Sequence, residues 1–177
     1  MLGRYANFPT IIHGRALLSH QISLPRLQQL LIASLQSMNG RKESCEISVS
    51  DHPGVYAGER SFEIGVAEDV YFNFLDNVEA KRLNEHISSG ENLSPLDFLV
   101  IVSYHYVREG KKIALKFDRH ILRFIFYDNK LELDLFHEKG IRRTPLDDLL
   151  KYIIDNISQE IKKSHLALPK IEQLRTL

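Results

Sequence analysis

The feature that most constrains this chain is a period-two alternation from Ile121 to His137 that reverses at a single Asp-Asn pair. Leu122, Phe124 and Phe126 alternate with Arg123, Ile125 and Tyr127. After Asp128-Asn129 comes Lys130, and then Leu131, Leu133 and Leu135 alternate with Glu132, Asp134 and Phe136. Successive side chains of a strand point to opposite faces, so alternation on both sides of a short Asx pair predicts an antiparallel hairpin. Asp and Asn also tolerate the left-handed backbone that a two-residue turn needs. With Asp128 and Asn129 as the loop, Tyr127 faces Lys130, Phe126 faces Leu131, Phe124 faces Leu133 and Leu122 faces Leu135. Six apolar side chains then share one face. On the other, Arg123 opposes Asp134 and Arg119 opposes Glu138, pairs that contribute a few tenths to ~1 kcal/mol each. A slip of one residue would turn the apolar set outward.

The neighbouring segments fit a sheet with one covered face. Phe98, Val100, Val102, Tyr104 and Tyr106 alternate up to a turn at Arg108-Glu109-Gly110-Lys111, after which Ile113, Leu115 and Phe117 continue one face. This predicts a second hairpin in which Tyr106 faces Ile113, Tyr104 faces Leu115 and Val102 faces Phe117. Ser94-Pro95-Leu96-Asp97 opens a competing helical reading of 95–108, but β-branched and aromatic residues dominate the run and favour strand. Behind the hairpins, Leu146, Leu149, Leu150, Ile153, Ile154, Ile157 and Ile161 form one helical stripe. Thr144 is the expected cap, Pro145 the first helical residue, and Asp147, Asp148, Lys162 and Lys163 complement the helix dipole.

Earlier in the chain, Thr10–Ser19 reads as a strand in which Gly14 marks a bulge or a close approach. Ser23–Asn39 reads as a helix ended by Asn39-Gly40, and Cys45, Ile47 and Val49 as a short strand. Asp51–Arg60 reads as the longest irregular loop, with turns at Pro53-Gly54 and Gly58. Strands follow around Phe62–Val66 and Val70–Phe74. Asp76–Glu79 is an acidic capping box for a short helix, Asn77–Ser88. In the tail, 164–177, Leu166, Leu168, Ile171, Leu174 and Leu177 recur at roughly helical spacing, and Pro169 is placed to start a last helical turn. The tail docks on its own domain or on a partner.

Together these elements predict one α+β domain over 1–177. Its sheet is largely antiparallel, with about six to eight strands, and helices at about 24–39 and 145–163 pack on one face. A chain of 177 residues with 44% hydrophobic and 26% charged residues is long enough to bury one proper core. No run approaches the roughly 18 apolar residues of a membrane helix. One cysteine allows no internal disulfide. The expectation is a cytoplasmic protein that does not engage a membrane.

Motifs carry little chemistry. No glycine loop cradles phosphate, no G-x-S-x-G is present, and the eight histidines show no metal-ligand spacing. The expectation is no cofactor, no metal and no catalytic residue. Cys45 has no basic neighbour in sequence to activate it and reads as a small buried hydrophobe. His120 and His137 fall opposite each other in the hairpin register, placed for acid/base or metal chemistry, or simply hydrogen-bonded at a hairpin end. His13-Gly14-Arg15 reads as an anion site or a polar edge. Asp51-His52 would be the start of a small enzyme site working from the Asp51–Arg60 loop. Between His105 and Arg143, ten Lys or Arg stand against six acids. This surplus suggests RNA or DNA association through Lys112, Lys116, Arg142 and Arg143, against which the formal net charge of +0 weighs.

The leading expectation is a non-enzymatic intracellular binding or assembly module. Its surface is the outer face of the central hairpin, where Ile121, Ile125, Tyr127 and Phe136 join Arg123, with Arg142 and Arg143 nearby as candidate binding residues. Such a patch calls for a cover. The candidates are the helix Asn77–Ser88, the tail, or another chain, with a second copy the leading outside partner.

Overall fold

A computed structural model describes residues 1–50 and 52–177, with His52 described by its main chain alone. Nine strands and three helices follow in the order β1 (Gly14–Ser19), α1 (Leu24–Met38), β2 (Lys42–Val49), β3 (His52–Glu68), β4 (Tyr71–Phe74), α2 (Asn77–Ser88), β5 (Leu96–Arg108), β6 (Lys111–Ala114), β7 (Asp118–Tyr127), β8 (Lys130–Lys139), α3 (Leu146–Lys163) and β9 (Lys170–Thr176). The strands form one antiparallel sheet in the order β2-β3-β5-β7-β8-β1-β9, with β4 on β3 and β6 on β5. The sheet curls into a half-barrel and the three helices pack on it. The α+β class is as expected; the sheet has one strand more than the expected range.

The central hairpin has the derived register. Tyr127 pairs with Lys130, Phe126 with Leu131, Phe124 with Leu133, Leu122 with Leu135 and His120 with His137. Leu122, Phe124, Leu133 and Leu135 are fully buried, beneath a core to which α3 contributes Leu149, Leu150, Ile153 and Ile157. A bulge between Arg119 and His120 sets Arg119 opposite Lys139 instead of Glu138. The Arg119 guanidinium still reaches Glu138.

The cross-strand ion pair departs from expectation. Arg123 and Asp134 oppose each other on the backbone, but their charges go elsewhere. Arg123 grips Asp97 of β5 through two hydrogen bonds of 2.7 Å, and Arg15 of β1 holds Asp134 at 2.6 and 3.0 Å. Each flanking strand brings a partner that forms a fork-like pair, stronger than a single contact across the hairpin.

Residues 96–108 form a strand, and Tyr106 pairs with Ile113 as derived. Val102 faces Asp118 rather than Phe117, because the chain leaves β5 after Ala114 and returns to it as β7. Asp76 caps α2 by accepting from the Glu79 main-chain N–H at 2.9 Å. Thr144 does not cap α3. Pro145 stands at that position, and the Thr144 hydroxyl is 2.7 Å from the Tyr104 hydroxyl.

Two further expectations are corrected. Asp51–Arg60 is not an irregular loop. From His52 on, it is the first half of β3, paired with β2 and then with β5. Gly58 is no turn; a Cβ there would lie 2.4 Å from Ile47 Cδ1, so glycine makes room for a neighbour inside the strand. The tail is not helical. Lys170–Thr176 is strand β9, antiparallel to β1, because ladder hydrogen bonds to a free sheet edge outweigh a weak helical spacing.

The outer face of the hairpin is not bare. Ile121 is only 1% exposed, Phe136 stacks on His13 with ring centroids 4.7 Å apart, and the Arg123 guanidinium lies 4.0 Å from the Phe8 ring centroid. The cover comes partly from the N-terminal segment, which was not among the expected candidates. Gly3 donates to the Ala67 carbonyl and accepts from the Asp97 N–H, and Tyr5 N–H donates to the Asp97 carboxylate. Of the four apolar residues on that face, Tyr127 alone is more than half exposed, at 53%. Among the described residues no helix is long and apolar enough to cross a membrane.

Candidate functional site

The main path of paired strands ends at β2 and β9, and one loop touches both. Arg142 Nη1 donates to the Leu177 carbonyl just beyond β9, at 3.3 Å, and Arg143 Nη1 donates to the Ser48 carbonyl of β2, at 3.2 Å. Consecutive side chains of the β8–α3 connection thus reach opposite edges of the curled sheet.

The loop is held by Asp118, 1% exposed at the start of β7. Its carboxylate accepts from Arg142 N–H at 2.9 Å, Arg143 N–H at 2.8 Å and the Tyr104 hydroxyl at 2.9 Å. Tyr104 in turn accepts from Thr144 N–H at 3.0 Å. Burial pushes the Tyr104 phenol well above its ordinary range, so it stays a neutral donor. Gly140 permits this packing: its φ is +108°, and a Cβ there would sit 2.1 Å from Asp118 Oδ1.

Beside the loop lies a histidine cluster. His137 Nε2 is 2.9 Å from the Gly140 carbonyl. A carbonyl only accepts, so Nε2 carries the proton. His137 Nδ1 then accepts from His120 Nδ1–H across 3.3 Å. His120 Nε2 is left buried without a partner. Burial, with His137 second, lowers His120 to about 4. His13 Nδ1 accepts from the His137 main-chain N–H at 2.9 Å; burial, then Arg142 and His137, push its pKa down. Among the described residues no group of three or more His, Cys, Asp or Glu is placed to hold a metal ion.

Two recesses adjoin the loop. One, of about 270 Å³, is lined by Cys45, Ser48, Arg60, Tyr104, Arg143 and Thr144 among others. Its arginines are largely committed: Arg60 binds Glu43 at 2.8 Å, and Arg143 holds Ser48. Burial pushes the Cys45 thiol up, which keeps it protonated and a poor nucleophile. The other recess is an open groove of about 750 Å³ along β1 and β9, lined by Ile12, His13, Arg15, Leu174, Arg175 and Leu177 among others. Arg15 is satisfied by Asp134 and Glu132. The Arg175 guanidinium donates to the Gln173 side chain, at 3.3 Å, and the Arg142 guanidinium to the Leu177 main-chain oxygen. Among the described residues neither guanidinium is paired with an acidic side chain.

The predicted site residues therefore divide. His120 and His137 do meet. Arg142 and Arg143 share a loop but point to different edges. Lys112 pairs with Glu59 of β3 at 3.6 Å, and Lys116 is exposed between β6 and β7. Ile121 and Arg123 are engaged within the chain. Asp51 and the His52 side chain lie outside the described residues. Asp118 and Arg175 were missed. Asp118 had no local signal, since its partners lie 14 to 25 residues away. Arg175 lies in a tail whose leucines recur at roughly helical spacing, which masks its strand character. No family model, curated protein or solved structure matches this chain.

Proposed function

We propose that this protein is a non-enzymatic binding or assembly module that docks an extended segment of a partner protein along β9, in the groove it forms with β1. The carrying observation is that β9 pairs on one side only, beside an open groove. An extended segment gains main-chain hydrogen bonds by adding to such an edge, while its alternate side chains enter neighbouring pockets. Exposed apolar groups flank the site. Ile171 is 51% exposed, Ile11, between two lining residues, 63%, and Ile141, next to Arg142, 66%.

The test is a selection of random ten-residue peptides displayed against the folded protein, followed by mapping of amide shifts. Selected peptides are expected to perturb Lys170–Leu177 and His13–Arg15. Peptides that bind instead on the outer face of β7 and β8, or no selectable peptide at all, would remove the edge-docking reading.

A further inference from the structure

Resting on that docking reading, we infer that the partner segment is acidic: an extended peptide whose carboxylates are taken by Arg142 and Arg175 and whose aliphatic side chains lie over Ile12 and Leu174. The argument is one of charge and covering. Three acids of β8 and β9, Asp134, Glu132 and Glu172, are already paired. Asp134 and Glu132 hold Arg15, and Glu172 of β9 is held by Lys130. The guanidinium groups left without an acidic side chain among the described residues are those of Arg142 and Arg175. Lys170, exposed at the other end of β9, adds a third.

Guanidinium groups match carboxylates in a planar two-point fork, so two arginines beside a free strand edge suit acidic side chains more than a compact point anion. Apolar lining from Ile12, Leu174 and Leu177 adds non-directional attraction for aliphatic groups set between the acids. The same charges count against a second copy of this chain at this edge. An isologous contact would set this same cationic edge, with Lys170, Arg142 and Arg175, against that of a second copy, and like charges brought together cost binding energy.

The experiment starts from peptides selected on the wild-type protein and footprinted to β9, and reads sequence, salt dependence and charge reversal. Asp and Glu are expected to dominate at alternating positions. Raising NaCl from about 50 to about 500 mM is expected to weaken binding at least tenfold, because unburied ion pairs are screened. Arg142→Glu with Arg175→Glu is expected to abolish binding of the acidic peptide, and to restore it for the same peptide with Lys at the acidic positions. Both sites are on the surface, and an unchanged thermal midpoint of the variant confirms folding. Peptides that map to β9 without an acidic excess, and bind equally well after the double reversal, would overturn the inference and leave edge docking intact. Failure of any peptide to map to β9 removes both. A wild-type dimer whose interface includes β9 would place a second copy there and overturn the acidic partner.

Discussion

At the scale of single residues, the most consequential group is Asp118. Replacing it with Ala strips an acceptor from Arg142 N–H, Arg143 N–H and the Tyr104 hydroxyl together. Unsatisfied buried donors cost about 1–3 kcal/mol each, so a loss of at least about 3 kcal/mol is expected in a urea titration. A loss under about 1 kcal/mol would show that the loop is held otherwise. Gly140→Ala is expected to be comparably damaging, because the new methyl meets Asp118 Oδ1 at 2.1 Å and the Phe117 carbonyl at 2.7 Å in a left-handed backbone. His120 supplies a pH dependence. Its folded pKa is lowered from 6.5 to about 4, so below pH 6.5 the unfolded chain binds a proton that the folded one does not. Stability is then fully present above pH 6.5 and falls with acidification until about pH 4, by about 3 kcal/mol at most. Asp118 faces the ring with the opposite effect, whereas His137, Arg142 and His13 lower it further. Denaturant midpoints between pH 7 and 4 measure this slope, and His120→Leu is expected to flatten it. An unchanged slope would place the proton uptake elsewhere.

At the scale of elements, the β7–β8 hairpin follows from its own residues. Phe124 is fully buried, and Phe124→Ala is expected to cost about 3–5 kcal/mol. Ion pairing follows the sheet rather than the hairpin. Arg123→Met leaves the buried Asp97 carboxylate with Tyr5 N–H as its remaining donor, and a loss of about 3–5 kcal/mol is expected. Asp134→Asn, by contrast, is expected to leave Arg123 undisturbed and to leave Arg15 with Glu132 as its acidic partner. A double-mutant cycle between Arg123 and Asp134 is expected to show coupling near zero, and one between Arg123 and Asp97 a large value. The tail illustrates the opposite case. Leu166, Leu168, Ile171 and Leu174 are spaced much like a helix stripe, yet β1 offers a free edge and the segment takes it.

At the scale of the whole molecule, the sheet closes halfway and its last strand stands largely exposed. Within β9 Leu174 alone is even half-buried, whereas β7 and β8 lie in the middle of the strand order and under the helices. Native-state hydrogen exchange is expected to show β9 amides opening at clearly lower free energy than those of Leu122–Phe126 and Leu131–Leu135. Equal protection in both regions would mean that β9 opens only with global unfolding. A segment that opens early and carries an unpaired edge is also where partner binding is most readily accommodated.

What this sequence determined by itself is local in origin. The alternation around Asp128-Asn129 sets a register because side-chain period and turn length together leave one pairing that buries Phe124 and Leu133. The stripe from Leu146 to Ile161 sets a helix face for the same kind of reason. Only the tertiary structure decided that Arg123 binds Asp97, that Asp118 ties down the loop holding Arg142 and Arg143, and that residues 170–176 become a strand beside β1. Those choices depend on which strands are neighbours, and strand order is set by the packing of the whole sheet rather than by any pattern within one segment.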